Sequence, residues 1–342
     1  MTTCLIYALG GGWGHLNRTL ALGRVAASQH QIKILTNSPY VQYLSAPECS
    51  LEIIPPELNF FATCQKVKQV LENSQYDCLL IDTFPRGLGG ELTTIIPQLS
   101  SVPKVLIHRQ LNPEYVESKN LKEFVAKFYD LVLIPGDGLD LPFADFSQVA
   151  YTNPWLIRSK EDLPRREIAH SLLKLTQQEL KHKIIIILAT GKKEELPIYR
   201  QLAEKLLELE NITIRCISPI KPPNCPEDVW VFHYPAIECL SVGDIIVGSG
   251  GYNTIYEAQY LGIPLVSLPL KRLYDRQFIR IKNLEHQAYS PVIRVNNIQE
   301  AIDSINYLLN TPISKPKTTF SNGVKRAIEI INTLAKKRCY NQ

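Results

Sequence analysis

The sequence lacks the features of membrane-spanning, secreted and metal-clipped proteins. No apolar run approaches the roughly 18 residues that a membrane-spanning helix needs, and the longest run, 184–189, has the length of one strand. The chain enters a candidate strand at Cys4 without a basic flank or cleavage site, so we expect no secretory signal. Its 8 cysteines lie far apart without a Cys-x-x-Cys pair, which argues against zinc clips and a disulfide frame and favours the reducing cytoplasm.

A strong charge of one sign is also missing, since the formal net charge is only +4. No basic stretch is interleaved with stacking aromatics, so we expect no nucleic-acid partner. The basic residues near the C-terminus are Lys315, Lys317, Lys325, Arg326, Lys336, Lys337 and Arg338, against the single acid Glu329. We prefer to interpret this region as a solvated final helix; the alternative is peripheral contact with the inner face of an anionic membrane or with another acidic partner.

Short apolar runs alternate with longer amphipathic runs along the whole chain. The candidate strands of the first half are 4–9, 31–36, 51–54, 78–82, 104–108 and 131–134, with helical patterns near 14–28, 58–72, 87–99 and 114–128. Those of the second half are 184–189, 212–217, 229–232, 244–247, 264–268 and 291–295, with helices near 193–209, 251–261, 274–285 and 297–309. Such alternation is typical of β–α–β units in a parallel sheet. We therefore expect an α/β fold with two doubly wound domains.

An Asn-Pro break at Asn153 separates the two halves in a stretch of little periodicity. We place an N-terminal domain at 1–150, a hinge at 151–160, a C-terminal domain at 161–310, and a linker and final helix at 311–342. The final helix, expected at 322–338, can pack on either domain. In two facing domains, a ligand is expected in the cleft at the carboxyl ends of the sheets.

The most specific motif runs from Gly248 to Glu257, as Gly-Ser-Gly-Gly-Tyr-Asn-Thr-Ile-Tyr-Glu. It follows 244–247 (Asp-Ile-Ile-Val), a candidate buried strand, and leads into an amphipathic run. A glycine-rich turn between a strand and a helix aims the helix N-terminus at the top of the sheet, where phosphate is favoured. The motif therefore predicts a nucleotide-phosphate site.

A second glycine cluster, Gly10-Gly-Gly-Trp-Gly-His15, opens the first strand-to-helix turn. Its spacing fits neither the dinucleotide fingerprint Gly-x-Gly-x-x-Gly nor the phosphate-binding loop Gly-x-x-x-x-Gly-Lys-Ser/Thr. An imidazole at a helix start can take a proton near neutral pH. The alternative is that His15 caps the helix or bonds a backbone carbonyl, and spacing alone leaves the two interpretations equal.

Polar side chains also end two further strands of the first half. Asp82 ends the fourth strand, where it can orient the imidazole of His15, although a cap on the following helix is the preferred interpretation. His108 and Arg109 end the fifth strand and can contact an acceptor or a phosphate. Only their position at a strand end supports that role.

Taken together, these motifs resemble those of the GT-B glycosyltransferases. The motifs are Gly-Gly-x-Gly-His near the N-terminus, Gly-Ser-Gly-Gly-Tyr-Asn-Thr-x-x-Glu, then Gly-Ile-Pro and Asp-x-Gln. The chain is similar to the peptidoglycan N-acetylglucosaminyltransferase type and to bacterial glycosyltransferases with a His-x-x-Arg start, here His15 to Arg18. The resemblance covers both halves in order. It implies two Rossmann-like domains facing a central cleft, with the acceptor on the N-terminal side and the nucleotide sugar on the C-terminal side.

The resemblance implies seven donor-binding residues: Ser249, Gly250, Gly251, Asn253, Glu257, Asp275 and Gln277. Residues 249–251 would present backbone N–H groups and a hydroxyl to the donor diphosphate. Glu257 would accept hydrogen bonds from the ribose diol, while Asp275 and Gln277 would hold donor sugar hydroxyls. Asn253 most simply finishes the turn. An exposed helix position is the competing interpretation for Glu257, and an ordinary helix start is that for Asp275 and Gln277.

The resemblance likewise implies the catalytic residues. His15, oriented by Asp82, would remove the acceptor proton in a single in-line displacement that inverts the anomeric carbon, and Gly11, Gly12 and Gly14 would form the close-approach loop. No Asp-x-Asp triad or zinc spacing occurs, so we expect no metal site and no cofactor besides the nucleotide diphosphate sugar, with uridine as its expected base. Helix dipole and backbone donors would then stabilise the leaving diphosphate.

The chain departs from the family pattern at two places, and three functions remain compatible with the sequence. Where relatives carry a glycine-rich turn, this chain has Gly191-Lys192-Lys193, whose lysines can pair with phosphate, and the hinge has Asn-Pro. The leading function is an inverting sugar transferase. The alternatives are a sugar-nucleotide epimerase or hydrolase on the same architecture and a non-catalytic nucleotide-sugar-binding subunit. Lipid-linked, carbohydrate and small-molecule acceptors all remain open, and the basic C-terminal region weakly favours a membrane-associated substrate.

Overall fold

The computed structural model describes residues 2–136, 141–285, 291–311 and 320–340, with side chains described as far as 335. The chain divides into two compact units. The first comprises 1–157, 273–275 and 322–342, and the second comprises 158–272 and 276–321. The division after Ile157 falls inside the stretch where the Asn-Pro break predicts a hinge.

The first unit is built on a seven-stranded parallel sheet in the order β3-β2-β1-β4-β5-β6-β7. Its strands are β1 (Thr2–Tyr7), β2 (His30–Thr36), β3 (Ser50–Ile53), β4 (Cys78–Asp82), β5 (Lys104–Ile107), β6 (Leu131–Pro135) and β7 (Val149–Thr152). Its helices are α1 (Trp13–Ala26), α2 (Phe60–Asn73), α3 (Leu92–Ile95), α4 (Pro113–Ser118), α5 (Leu121–Phe128) and the final α12 (Val324–Tyr340). The chain adds strands to one side of β1 and then crosses to β4 on the other side, so the strand order reverses between β1 and β4.

The second unit repeats this plan on six parallel strands in the order β10-β9-β8-β11-β12-β13. The strands are β8 (Lys183–Leu188), β9 (Ile212–Ile217), β10 (Trp230–Val231), β11 (Ile245–Ser249), β12 (Leu265–Leu268) and β13 (Val292–Arg294). The helices are α6 (Arg166–Leu172), α7 (Leu196–Leu206), α8 (Ile237–Leu240), α9 (Tyr252–Leu261), α10 (Gln277–Glu285) and α11 (Ile298–Asn310). Here the order reverses between β8 and β11.

Both sheets are covered by helices, because their central strands are apolar on both faces. In β8 every residue from Ile184 to Leu188 is buried, and β4 is buried throughout. Continuous apolar runs of this kind are typical of parallel strands that lie between two helical layers. The expected α/β class with two doubly wound sheets is confirmed.

The structure differs from the sequence prediction at several elements. The helix expected at 114–128 is two helices, since Asn120 adopts a left-handed conformation with φ 44° between them. The helix expected at 87–99 shrinks to α3 and one following 3-10 turn. A seventh strand, β7, lies at the start of the expected hinge. The final helix packs against α1 in the first unit.

The basic C-terminal region is described only in part. Lys315 and Lys317 lie outside the described residues, as do the side chains of Lys336, Lys337 and Arg338. Lys325 and Arg326 are exposed on α12, where Arg326 pairs with Glu329 at 2.9 Å. In the part of the chain that the structure describes, no helix is both long and apolar enough to cross a membrane.

Candidate functional site

The first polar cluster lies where the strand order of the first unit reverses. The glycine loop follows β1, and Asp82 ends the neighbouring strand β4. Ligands of open α/β sheets bind at such reversal points, outside the carboxyl ends of the strands. His15 is the third residue of α1, so its side chain lies in the first turn of the helix, directly after the glycine loop.

Asp82 joins His15 and Arg18 in one hydrogen-bonded array. His15 Nδ1 lies 2.6 Å from Asp82 Oδ2. Arg18 donates from Nε to Oδ1 at 2.7 Å and from Nη2 to Oδ2 at 2.6 Å, a bidentate pair in which both residues are fully buried. Because the carboxylate accepts from Nδ1, Nε2 is left as the ring nitrogen that a substrate hydroxyl can reach.

Two opposing effects set the charge of Asp82. Burial raises the pKa of its carboxyl, but the Arg18 guanidinium and the His15 hydrogen bond outweigh burial and lower that pKa to about 2. Asp82 is therefore an anion throughout the neutral range. A fixed anion on Nδ1 holds the imidazole in one orientation.

The His15 ring lies so close to the backbone of Gly10 that a side chain at residue 10 would collide with it. Gly10 has φ +151°, and a Cβ there would lie 2.4 Å from His15 Cδ2 and 2.6 Å from Nε2. A Cβ on Gly11 or Gly12 would meet no atom within 4 Å, and one on Gly14 would lie 3.6 Å from Arg109 Nη1. Close approach to His15 therefore depends on Gly10 and not on Gly11, Gly12 or Gly14, the residues predicted from the sequence.

Aromatic and charged side chains surround the array. The Phe84 ring stacks on the His15 ring with centroids 5.4 Å apart. Arg109 Nη2 lies 3.1 Å from Asp275 Oδ1, and both residues belong to the first unit. The structure thus places Asp275, expected to hold a donor hydroxyl, in an ion pair with Arg109. His108 is fully buried against Phe143, and burial followed by the charge of Arg109 lowers its pKa to about 3.

A second candidate site lies where the strand order of the second unit reverses. Residues 249–251 follow β11, and residues 189–195 follow the neighbouring strand β8. Helix α9 begins after Gly251, with no hydrogen bond from a capping side chain and no acidic residue in its first turn. Its N-terminal amides and dipole therefore face no anion of their own helix, an arrangement that favours phosphate. Asn253 is the second residue of this helix.

Gln277 ties the glycine turn to α10. Its Oε1 accepts from Gly250 N at 3.2 Å and from Leu270 N at 2.9 Å, and the residue is buried. A Cβ on Gly250 would lie 2.5 Å from Ile281 Cδ1, so the glycine permits α10 to pack closely. The Gly250 N–H, which the resemblance assigns to the diphosphate, is thus engaged by Gln277 Oε1. Gln277 Nε2 makes no hydrogen bond to a described residue.

Glu257 is a buried carboxyl on the second turn of α9, and its side chain has no hydrogen bond to any described residue. Burial raises its pKa to about 8. An unpaired buried carboxyl costs stability and is therefore uncommon in a structural position. It fits a residue whose hydrogen-bond partner is a ligand.

Two features of these sites have no role predicted from the sequence. Arg18 lies three residues after His15, on the same face of α1, so the His-x-x-Arg spacing was a usable signal. Glu195 and Arg272 form a bidentate ion pair beside Gly191, with Nη2 to Oε2 at 2.8 Å. Only the fold brings Glu195 and Arg272 together. Among the described residues, no group of three or more His, Cys, Asp or Glu side chains could hold a metal ion.

Comparison with known proteins gives relatives for the whole chain. No family model matches it. It is 23% identical to an uncharacterized glycosyltransferase of Methanosarcina acetivorans, with 87% of each chain covered, and equally to one of Methanosarcina mazei. The solved glycosyltransferase of kitacinnamycin has TM-score 0.64 at 14% identity, covering 98% of this chain and 99% of that one.

Two further structures share the fold. Spinosyn rhamnosyltransferase, complexed with thymidine diphosphate, has TM-score 0.59 at 16% identity and covers 98% of this chain and 96% of its own. A protein assigned as UDP-N-acetylglucosamine 2-epimerase of Listeria monocytogenes has TM-score 0.61 at 10% identity, covering 97% and 96%. At these identities the structures show the fold alone, which is GT-B. Both sequence relatives are named as glycosyltransferases, and the chain shares the GT-B fold of these solved structures.

Proposed function

We propose that the chain transfers a sugar from a nucleoside diphosphate donor to an acceptor hydroxyl, with inversion at the anomeric carbon. The array of His15, Asp82 and Arg18 is the observation that carries this proposal. A partly exposed imidazole, whose Nδ1 is bound to a buried anion, has the arrangement of a general base.

In the proposed reaction, His15 is the only group that accepts a proton. The acceptor hydroxyl gives its proton to His15 Nε2 as its oxygen forms a bond to the anomeric carbon. The bond from that carbon to the diphosphate oxygen breaks, and the nucleoside diphosphate leaves with the electron pair. Before the step the array of imidazole, carboxylate and guanidinium has no net charge, and afterwards it carries +1. A single displacement of this kind inverts the anomeric carbon.

The donor residues belong to the second unit. The N-terminus of α9 and the Ser249 hydroxyl would bind the diphosphate, and Glu257 would accept from the ribose diol. Lys192 and Lys193, beside the reversal point of the sheet, add positive charge near the leaving group. We propose that these groups act without a metal ion and that uridine is the base.

Calorimetric titration with uridine, thymidine, guanosine and adenosine diphosphates, without added metal, tests the donor site. One nucleotide should bind, and Glu257→Ala should weaken it by about 1–3 kcal/mol, the usual cost of an unpaired buried polar group. Glu210→Ala is the matched control, because Glu210 is an exposed carboxylate of the same unit. Binding of none of the four would remove the donor site from the proposal.

Product analysis with the sugar donor of that nucleotide tests the reaction. Transfer should give the inverted anomer, should survive a chelator, and should fall by about 10²–10⁴ in His15→Ala, the usual contribution of a general base. Full turnover in His15→Ala would contradict the assignment of the base. Donor conversion without an acceptor would instead indicate an epimerase or hydrolase, an activity found on this fold, and binding without turnover would indicate a non-catalytic subunit.

A further inference from the structure

A strained residue follows Asp82 directly. Thr83 has φ 70°, in the left-handed region, and Phe84 N donates across it to the Asp82 carbonyl at 2.9 Å. A three-residue turn with this φ at its centre is rare and strained, and a β-branched residue is an outlier there. Strained backbone of this kind persists only where the surrounding structure enforces it, and it is concentrated at functional sites.

The Thr83 hydroxyl lies in the array of Asp82, His15 and Arg18. Thr83 Oγ1 donates to Asp82 Oδ2 at 3.1 Å and accepts from Arg18 Nη2 at 3.2 Å. Asp82 Oδ2 is the same oxygen that lies 2.6 Å from His15 Nδ1. Thr83 is buried, and its N–H donates to the Ile107 carbonyl at 2.9 Å. The hydroxyl therefore helps to fix the oxygen that orients the imidazole.

The chain from Asp82 to Gly89, which we call the 82–89 segment, is anchored at its far end by two buried side chains. The Glu91 carboxylate accepts from Gly89 N at 2.8 Å and from Leu88 N at 3.2 Å, and Tyr7 donates to it at 2.5 Å. Burial, followed by the charge of Glu91, raises the pKa of Tyr7 well above its ordinary value, so the phenol keeps its proton and stays a donor. We call this pair the Tyr7–Glu91 clamp.

Two further contacts restrict the 82–89 segment. Gly87 has φ +84°, and a Cβ there would lie 2.4 Å from Glu91 Cδ, so the backbone of the segment lies directly on the carboxylate. Tyr129 donates to the Pro85 carbonyl at 2.6 Å. The segment is thus held at both ends, with Thr83 between them. Relaxation of Thr83 to a negative φ would redirect the chain and break contacts at one of these ends.

We propose that Thr83 is a positioning residue, held in its strained conformation by the Tyr7–Glu91 clamp so that its hydroxyl fixes Asp82 Oδ2 against His15 Nδ1. This inference rests on the proposed function, because it assigns the support of the proposed base. Without the hydroxyl, Asp82 Oδ2 would be held by Arg18 and His15 alone. The fixed geometry that the hydroxyl adds is what a general base needs in order to act.

The hydroxyl can be removed with little change in the shape of the side chain. Thr83→Val should lower kcat by about 10–100-fold, the factor that one hydrogen bond to a charged group provides, and should leave nucleotide affinity unchanged. Thr83→Ser keeps the hydroxyl and should retain kcat near the wild-type value. Wild-type kcat in Thr83→Val would overturn the inference.

Proton NMR makes the same test without donor or acceptor. The His15 Nδ1 proton, hydrogen-bonded to Asp82, should give a downfield signal that the His15→Ala variant lacks. The signal should be retained in Thr83→Ser and should shift or disappear in Thr83→Val. An unchanged signal in Thr83→Val would mean that the hydroxyl does not fix Asp82 Oδ2, and would overturn the inference.

Glycine and alanine variants test the strain, since both lack the hydroxyl. At an ordinary φ, alanine is the more stabilising of the two residues because it restricts the unfolded chain. In the left-handed region the order reverses, because the alanine Cβ crowds the following carbonyl oxygen. Thr83→Gly should therefore have a thermal unfolding midpoint about 2–4 °C above that of Thr83→Ala. The opposite order would show that the turn is not strained and would overturn the inference.

Tyr7→Phe tests the clamp. Tyr151→Phe is the matched control, because Tyr151 is an exposed tyrosine of the same unit whose hydroxyl donates to the Ala144 carbonyl at 3.3 Å. Tyr7→Phe should shift the His15 signal and lower kcat, whereas Tyr151→Phe should change neither. An unaltered signal and kcat in Tyr7→Phe would contradict the inference.

Failure of the proposed function would be observed differently. It would appear as absence of nucleotide binding and of sugar transfer in the wild-type protein. The NMR signal of His15 and the order of stability of the glycine and alanine variants do not depend on either activity.

Discussion

Replacing Glu257 by glutamine should stabilise the second unit, and the gain should grow with pH. The carboxyl is buried without a partner, and burial raises its pKa from an ordinary 4.5 to about 8. Between these two values the folded protein keeps the proton that the unfolded chain releases. The free energy of unfolding therefore falls with rising pH by about 1.4 kcal/mol per unit.

The size of this stability difference follows from the interval between the two pKa values. From about pH 5 to about pH 7.5 the carboxyl costs the folded state about 3 kcal/mol. Glutamine has nearly the same shape and does not titrate, so the difference between Glu257→Gln and wild type should be near zero at the lower pH and about 3 kcal/mol at the higher pH. Below pH 4.5 both chains are neutral at this position, and the difference should vanish.

Hydrogen exchange of β11 and α9 amides, compared between the two proteins at the same pH, gives the opening free energy of this unit. Glu210→Gln, which removes an exposed carboxylate of the same unit, is the matched control. A Glu257→Gln effect that stays constant with pH would refute the reasoning, because it would mean that the carboxyl is ionised or paired in the folded protein. The same substitution should weaken nucleotide binding, because hydrogen bonds from a ribose diol would favour the ionised form of Glu257, which glutamine cannot adopt.

Three further predictions concern the backbone and charges around the two sites. Arg18→Met should destabilise the first unit by about 3–5 kcal/mol at neutral pH, as measured by urea unfolding. The loss of stability should shrink as pH falls below 3.8 towards 2, because Asp82 gains a proton in the wild type over that interval. A loss that does not shrink at low pH would contradict a charge effect. Gly10→Ala should lower kcat by about 10² through displacement of the imidazole, while Gly11→Ala, with open space at its Cβ, should keep it; equal activities would remove the steric argument. Gly250→Ala should destabilise the second unit by about 1–3 kcal/mol, because the added Cβ meets Ile281. Gly251→Ala should not, because the nearest atom to its Cβ is 3.5 Å away. Thermal unfolding of the two variants distinguishes these outcomes.

The fold could be predicted because its signal is local. A buried parallel strand is an apolar run of four to six residues. Strands β8 and β4 can therefore be predicted from their own residues, without knowledge of the neighbouring strands. The strand β7 was missed because Val149–Thr152 is only partly buried and runs directly into the Asn-Pro break, so its pattern is not that of a buried strand. The split between α4 and α5 depends on the left-handed Asn120, a conformation that the amphipathic pattern does not show.

Some contacts in the candidate sites could likewise be predicted from the sequence, and others could not. His15 and Asp82 lie close together because His15 comes soon after β1, Asp82 ends β4, and β1 and β4 are neighbours. The ion pair of Arg109 with Asp275 joins residues 166 positions apart, and no periodicity or motif links them. The support of the 82–89 segment by Tyr7 and Glu91, 84 residues apart, is likewise a product of the fold.

Arg18 explains why a buried carboxylate can serve the proposed base. Asp82 alone, buried beside a neutral imidazole, would be an uncompensated anion and would tend to take up a proton. The bidentate guanidinium keeps it ionised and fixes both oxygens, so that one of them remains directed at His15 Nδ1. Arg18 is thus a positioning residue that acts through Asp82, and the His-x-x-Arg spacing has a physical reason: residues three apart on α1 share the face that meets the end of β4.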